Sequence, residues 1–173
     1  MVYSFEFVQN EFLDQQFMKT FTHLDADNQP AMVDVSEKAI TKRTATAQSI
    51  VVLTDEIMAN FQDGDLKTKK GSVIQTAIIA GTMGAKKTSE LIPLCHPLGL
   101  DSCKFTTEII GNEVIITCTC SLTAKTGVEM EALTGASIAA LTIYDMCKAF
   151  SHDIVIKETK LILKTGGKSD YKV

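Results

Sequence analysis

A chain of 173 residues, 45% hydrophobic and 22% charged, is long enough to bury one sizeable core and has the balance of an ordinary globular domain. The net charge of −4 argues against a general nucleic-acid or anionic-membrane binder, and no apolar run approaches the roughly 20 residues of a membrane span. The opening Met1-Val2-Tyr3-Ser4-Phe5-Glu6 lacks the basic-then-apolar order of a secretory signal. The five cysteines (Cys95, Cys103, Cys118, Cys120 and Cys147) sit mostly in apolar segments without a C-x-x-C, the pattern of reduced thiols in a cytoplasmic protein.

Residues 1–27 mix aromatics and acids without a sustained period and read as an N-terminal arm, with Phe12, Phe17 and Phe21 the only trace of an amphipathic helix. The single domain is expected from 28 to 173. After the turn-rich Asp25–Pro30, the β-branched run at 44–53 predicts a strand. Thr54-Asp55-Glu56 has the form of a helix cap with acids in the first turn, opening a short helix to Phe61. A basic loop, Lys67-Thr68-Lys69-Lys70-Gly71, leads to Ser72, which caps a helix expected to run to about Leu91. There the small residues Ala77, Ala80, Gly81, Gly84 and Ala85 allow close approach to a neighbour. Ile92-Pro93-Leu94-Cys95-His96-Pro97-Leu98 is a proline-stiffened loop. Strands at 103–110 and 113–123 meet at Gly111-Asn112, a hairpin signal. A long helix over about 128–150 and a strand over about 155–164 complete the order. The pattern is α+β, ferredoxin-like: a βαββαβ antiparallel sheet with helices on one face and an extra helix in the first connection.

The long helix is mostly small and apolar, yet it carries Glu131, Asp145 and Lys148, charges that a buried helix excludes unless they are paired or used. Asp145 and Lys148 are i, i+3 neighbours on one face. Such a pair is either a surface ion pair of little worth or the lining of a cleft or subunit boundary. Two runs, Gly127-Val128-Glu129-Met130-Glu131-Ala132-Leu133 and Leu141-Thr142-Ile143-Tyr144-Asp145-Met146-Cys147-Lys148, resemble signature runs of the cyclic pyranopterin monophosphate synthase family, also called molybdenum cofactor biosynthesis protein C. The resemblance extends over about residues 22–170 and includes Met32-Val33-Asp34-Val35-Ser36, Leu94-Cys95-His96 and the Gly-Gly-Lys-Ser tail. It departs in the first twenty or so residues and at Gly167-Lys168-Ser169-Asp170, where the family usually inserts a glycine before the aspartate.

The resemblance implies an enzyme of molybdenum cofactor biosynthesis that converts a cyclic dihydro-GTP into cyclic pyranopterin monophosphate and releases diphosphate. It implies Asp145 and Lys148 as the acid/base pair, and a paired lysine and carboxylate move protons when each tunes the other. Leu94, Cys95 and His96 match its substrate-contacting segment, and Lys70, Arg43 and Lys164 match positions for phosphate or substrate contact. Glu131, with the Met130 backbone, is expected to read the base edge, because a carboxylate suits the paired N–H groups of a guanine or pterin. Glu131 stands 14 residues before Asp145, so on one helix the two are about 21 Å apart. Either Glu131 serves another part of the ligand, or one subunit's Glu131 joins another's Asp145 and Lys148. The second fits the hexamer that the resemblance implies, a trimer of dimers with active sites at the dimer interface. No cofactor and no metal are expected. Cys95 and His96 are adjacent, and no zinc-ligand spacing recurs. The tail is not a phosphate loop, because Ile162 stands where the first glycine belongs and no helix follows. Two rivals are a nucleotide-binding regulator of the same fold and an RNA-binding domain. The latter needs exposed aromatics on the sheet, where the middle strands offer only Phe105.

Overall fold

The computed structural model describes residue 27 and residues 29–173, so the proposed N-terminal arm with Phe12, Phe17 and Phe21 lies outside the described residues. Contacts divide the chain into a unit ending at Val33 and a unit from Asp34 to Val173; the second carries all that follows. Its elements in chain order are β1 (Thr41–Val52), α1 (Asp55–Met58), the two-residue strands β2 (Lys67–Thr68) and β3 (Gly71–Ser72), α2 (Val73–Lys86), α3 (Thr88–Leu91), β4 (Ser102–Ile110), β5 (Glu113–Ala124), α4 (Glu129–Cys147), β6 (Val155–Thr165) and β7 (Tyr171–Lys172). The main sheet has the order β4-β5-β1-β6-β7 and every pairing in it is antiparallel. Omitting β7, that is the strand order of a ferredoxin-like α+β fold.

The elements follow from local chemistry. β5 alternates buried and half-buried residues along its length, with Val114, Ile116, Cys118, Cys120 and Leu122 turned to the core. The turn at Gly111-Asn112, with Gly111 at φ +57°, sets the β4–β5 register and so places Cys103 opposite Cys120. The opposite face of the sheet is polar: Thr46 bonds Thr119 at 2.9 Å and Gln48 donates to Thr117 at 3.3 Å across β1 and β5. Phe105 packs into the core beneath α2, touching the space beside Gly81, so it is unavailable as a platform for stacking bases.

Three differences from the sequence expectation have clear causes. The first connection holds three helices, because the predicted helix to Leu91 breaks at Lys87 and restarts as α3 after one residue outside helical geometry. The long helix ends at Cys147, where the backbone amides of Lys148 and Phe150 close the last turn. The basic loop at 67–71 is a miniature hairpin rather than open coil. Asp65 organises that hairpin: its carboxylate accepts from the Ser72 hydroxyl, from the Ile74 amide at 3.0 Å and from the Leu66 amide at 2.7 Å. Burial alone would raise its pKa, but these donors and Lys67 hold it below the usual carboxylate range. Ser72 in turn caps α2 by accepting from Gln75 N at 3.0 Å. Among the described residues no helix is long and apolar enough to cross a membrane.

α2 and α4 cross on the core face of the sheet at glycines. A Cβ on Gly81 would lie 2.7 Å from the Gly135 carbonyl oxygen and 2.6 Å from the Phe105 ring, and one on Gly135 would lie 2.8 Å from Cys118 Sγ. The Gly81→Ala substitution therefore has to push backbone away from backbone. We expect it to lower stability by about 1–3 kcal/mol in urea denaturation, whereas the same substitution at Gly99, where nothing lies within 4 Å, costs far less. Equal effects at the two positions would contradict the close-crossing account.

Candidate functional site

The residues expected from the sequence to form the site fall into two groups near the two ends of α4. At its C-terminal end Asp145 lies between two lysines, with Lys148 Nζ 2.7 Å from Oδ1 and Lys70 Nζ 3.4 Å from Oδ2. Lys148 comes from the C-cap of the same helix; Lys70 is delivered by the hairpin that Asp65 holds. The hydrogen bond and charge of Lys148, joined by Lys70, hold the Asp145 carboxyl below its usual range, and Asp145 reciprocally raises Lys148. Near neutral pH this is thus an ionised carboxylate beside an ionised amine. All three side chains remain about half exposed.

At the N-terminal end the chemistry is different. Glu131 is 3% exposed and takes part in no ion pair among the described residues. Burial pushes its carboxyl up, its own amide partly offsets this, and neighbouring Glu129 adds to it. A buried carboxylate without a cation is expensive and points to an external partner rich in N–H donors. Cys95 shares this environment: desolvation and the Glu131 charge both raise its thiol. Leu94, Cys95 and His96, half-buried, lie in a turn closed by Cys95 N donating to Ile92 O at 3.1 Å. Met130, the residue before Glu131 in the first turn of α4, is 37% exposed.

Beside the start of α4 opens a cleft of about 510 Å³ whose charged lining is Lys38, Arg43, Lys125, Glu129, Lys164 and Lys168. Arg43 is pinned by donating to the carbonyls of Ala124 (3.5 Å) and Lys125 (3.4 Å), and Lys164 pairs with Glu129 at 3.1 Å. Gly166, at φ +82°, lets the 165–168 segment pass over β1; a Cβ there would lie 1.9 Å from the Lys42 carbonyl. Asp170 Oδ1 accepts from the Gly166 amide at 3.0 Å, so the divergent tail aspartate has a place in holding this turn. No side chain caps α4 at Val128, leaving helix-terminal amides beside a cationic cleft, an arrangement suited to anions.

Thus one chain joins Asp145 and Lys148 with Lys70, and separately gathers Arg43, Lys164, Met130, Glu131 and Cys95 near the other end of α4. Lys70 does not accompany Arg43. Lys38 and Lys125 were missed from sequence. Lys125, two residues before the glycine that opens α4, carried a signal in its position ahead of a helix N-terminus; Lys38 carried none.

Residues 32–167 match the profile of the MoaC family. The chain belongs to that family. It is 55% identical over 150 residues to the cyclic pyranopterin monophosphate synthase of Xanthomonas axonopodis pv. citri, covering 86% of this chain and 91% of the relative. It is 54% identical over 155 residues to the molybdenum cofactor biosynthesis bifunctional protein of Synechocystis, covering 87% of this chain and 45% of that protein. It is also 50% identical over 167 residues to molybdenum cofactor biosynthesis protein 1 of Dictyostelium discoideum, covering 86% and 26% respectively.

The raised Glu131 carboxyl has a consequence for stability. The folded chain keeps its proton to higher pH than the unfolded chain, whose ordinary value is 4.5. The carboxylate therefore penalises folding above its folded pKa, and the penalty disappears as pH falls toward 4.5. We expect Glu131→Gln to stabilise the apo-protein at neutral pH by on the order of 1 kcal/mol, with the gain vanishing in acid, as thermal denaturation across pH would read. A variant less stable than wild type at pH 7 would mean that an unrecognised partner already stabilises Glu131.

Proposed function

We propose that this chain carries out the reaction its relatives are named for, converting (8S)-3′,8-cyclo-7,8-dihydroguanosine 5′-triphosphate into cyclic pyranopterin monophosphate with release of diphosphate. The observation that carries the reading is the division of labour along α4: a proton-transfer pair at one end, and at the other a buried carboxylate beside a cationic, glycine-lined cleft. Each part answers a need of the reaction. Glu131 accepts the paired N–H groups of the guanine-derived edge, with Met130 alongside and the Leu94–His96 turn orienting the ring. Arg43 and Lys164 neutralise the triphosphate and the departing diphosphate, aided by Lys38, Lys125 and the free amides of α4. Lys148 is the acid and Asp145 the base during ring opening and closure, assignments that follow from the ionised state of the pair. Lys70 holds Asp145 as a carboxylate and offers a further cation to phosphate.

The two ends are about 21 Å apart on one helix, farther than one ligand of this size reaches. We infer that a complete site takes the Glu131 end from one protomer and the Asp145 end from its partner, within a homo-oligomer that is a trimer of dimers. Two features favour burial of these surfaces by another copy: the half-exposed Lys70–Asp145–Lys148 group, and the exposed Ile79 and Met83 on one stripe of α2. A cytoplasmic location follows from the biosynthetic role.

Incubation with the cyclic dihydro-GTP substrate should yield the pterin and diphosphate. Asp145→Ala and Lys148→Ala should each lower kcat by at least about 100-fold, and near-normal turnover by both would remove their assignment. Mixing inactive Glu131→Ala and Lys148→Ala proteins under conditions that exchange protomers should restore about one quarter of wild-type activity. Random pairing makes half the dimers mixed, and each mixed dimer has one intact site. No recovery after verified exchange would place both residues in the same chain's site.

A further inference from the structure

The hairpin register brings together three thiols that the chain separates. Cys103 on β4 faces Cys120 on β5, and Cys118 lies two residues before Cys120 on the same face. The Sγ separations are 4.0 Å (Cys103–Cys118), 3.8 Å (Cys118–Cys120) and 3.7 Å (Cys103–Cys120), a nearly equilateral triangle. Its centre lies about 2.2 Å from each sulfur, close to the metal–thiolate bond length of about 2.3 Å. An ion could sit there without movement of either strand. Cys118 and Cys120 are fully buried, while Cys103 is half-buried on the edge strand, which leaves a way in. Among the described residues no histidine or carboxylate joins the group. The backbone of α4 at Gly135 closes the other side.

We propose that Cys103, Cys118 and Cys120 form a three-coordinate thiolate site for a soft monovalent ion, Cu(I). Zinc in structural sites takes four protein ligands, and a fourth donor is missing from this group, whereas three soft sulfurs in an apolar setting suit Cu(I). Each sulfur that binds loses its proton to solvent and no electron is transferred. The bound ion would tie β4 to β5 directly beneath the α2–α4 crossing, remote in role from the acid/base pair.

The test is anaerobic titration of the reduced full-length chain with Cu(I) against a competing chelator such as bicinchoninate. The expected result is one Cu(I) per chain with a sulfur-to-copper charge-transfer band. Cys103→Ser, at the half-buried edge position and with its fold checked by circular dichroism, should weaken binding by at least about 100-fold, more than loss of an outer-shell contact costs. Cys95→Ser should leave it unchanged. Failure of wild type to compete with the chelator, or equally tight binding by Cys103→Ser, would reduce the cluster to three small apolar side chains in contact.

Discussion

Glu131, Asp145 and Lys148 all stand at the two ends of α4, and α4 is held against α2 by a close crossing at glycines. Where it crosses α2, Gly81 meets the Gly135 backbone at a distance that a Cβ would prevent, and Gly84 makes room for the Ile138 side chain. On its sheet side α4 lies on Ala45 and Ala47 of β1 and on Cys118 and Cys120 of β5, all fully buried. Small groups on every side leave few rotamers to adjust, and interiors packed this way transmit displacement rather than absorb it. The orientation of the helix is consequently over-determined, and with it the positions of Glu131 near one terminus and Asp145 near the other.

The two ends make opposite electrostatic choices. Asp145, Lys148 and Lys70 are paired and about half exposed, an arrangement that costs little and contributes little to folding. Glu131 is buried with no cation beside it among the described residues, a state that opposes folding unless something else completes it. A paired, solvated group is ready to exchange protons; an unpaired, desolvated one is ready to bind donors. The division suits a reaction in which one region must recognise a base edge and another must move protons. It also explains why the charge on the long helix is not spread evenly: residues 132–144 carry none, because that stretch is the part pressed against sheet and α2.

Most of this was legible before any coordinates. β-branched runs, the Gly111-Asn112 turn and the caps at Thr54 and Ser72 gave the element order, since each is a local preference that the tertiary structure did not override. The antiparallel order then followed from topology. The break at Lys87 was not legible, because Lys86-Lys87-Thr88 contains no proline or glycine to announce it. Nor was the hairpin at 67–72, which depends on the Asp65 carboxylate reaching across nine residues to Ile74. In the site, Asp145 and Lys148 were legible as an i, i+3 pair, and Glu131 as a charge on an apolar helix. What could not be read was that Glu131 has no cation beside it among the described residues while Asp145 has two, because Lys70 comes from a loop 75 residues away.

The distance along α4 makes folding and activity answer to different units. A single chain satisfies its own buried side chains: no buried side-chain nitrogen or oxygen lacks a hydrogen-bond partner among the described residues. Yet the groups proposed to read the base and to move protons stand about 21 Å apart on the same chain, fixed by a helix too tightly packed to bend one toward the other. Motion within the protomer therefore does not bring them together, since bending α4 would have to open the Gly81–Gly135 contact. The proposed association would do so at no cost to that contact, by setting the far end of a second copy's helix against the first. On this reading the packing that makes α4 rigid is also what makes a second chain necessary.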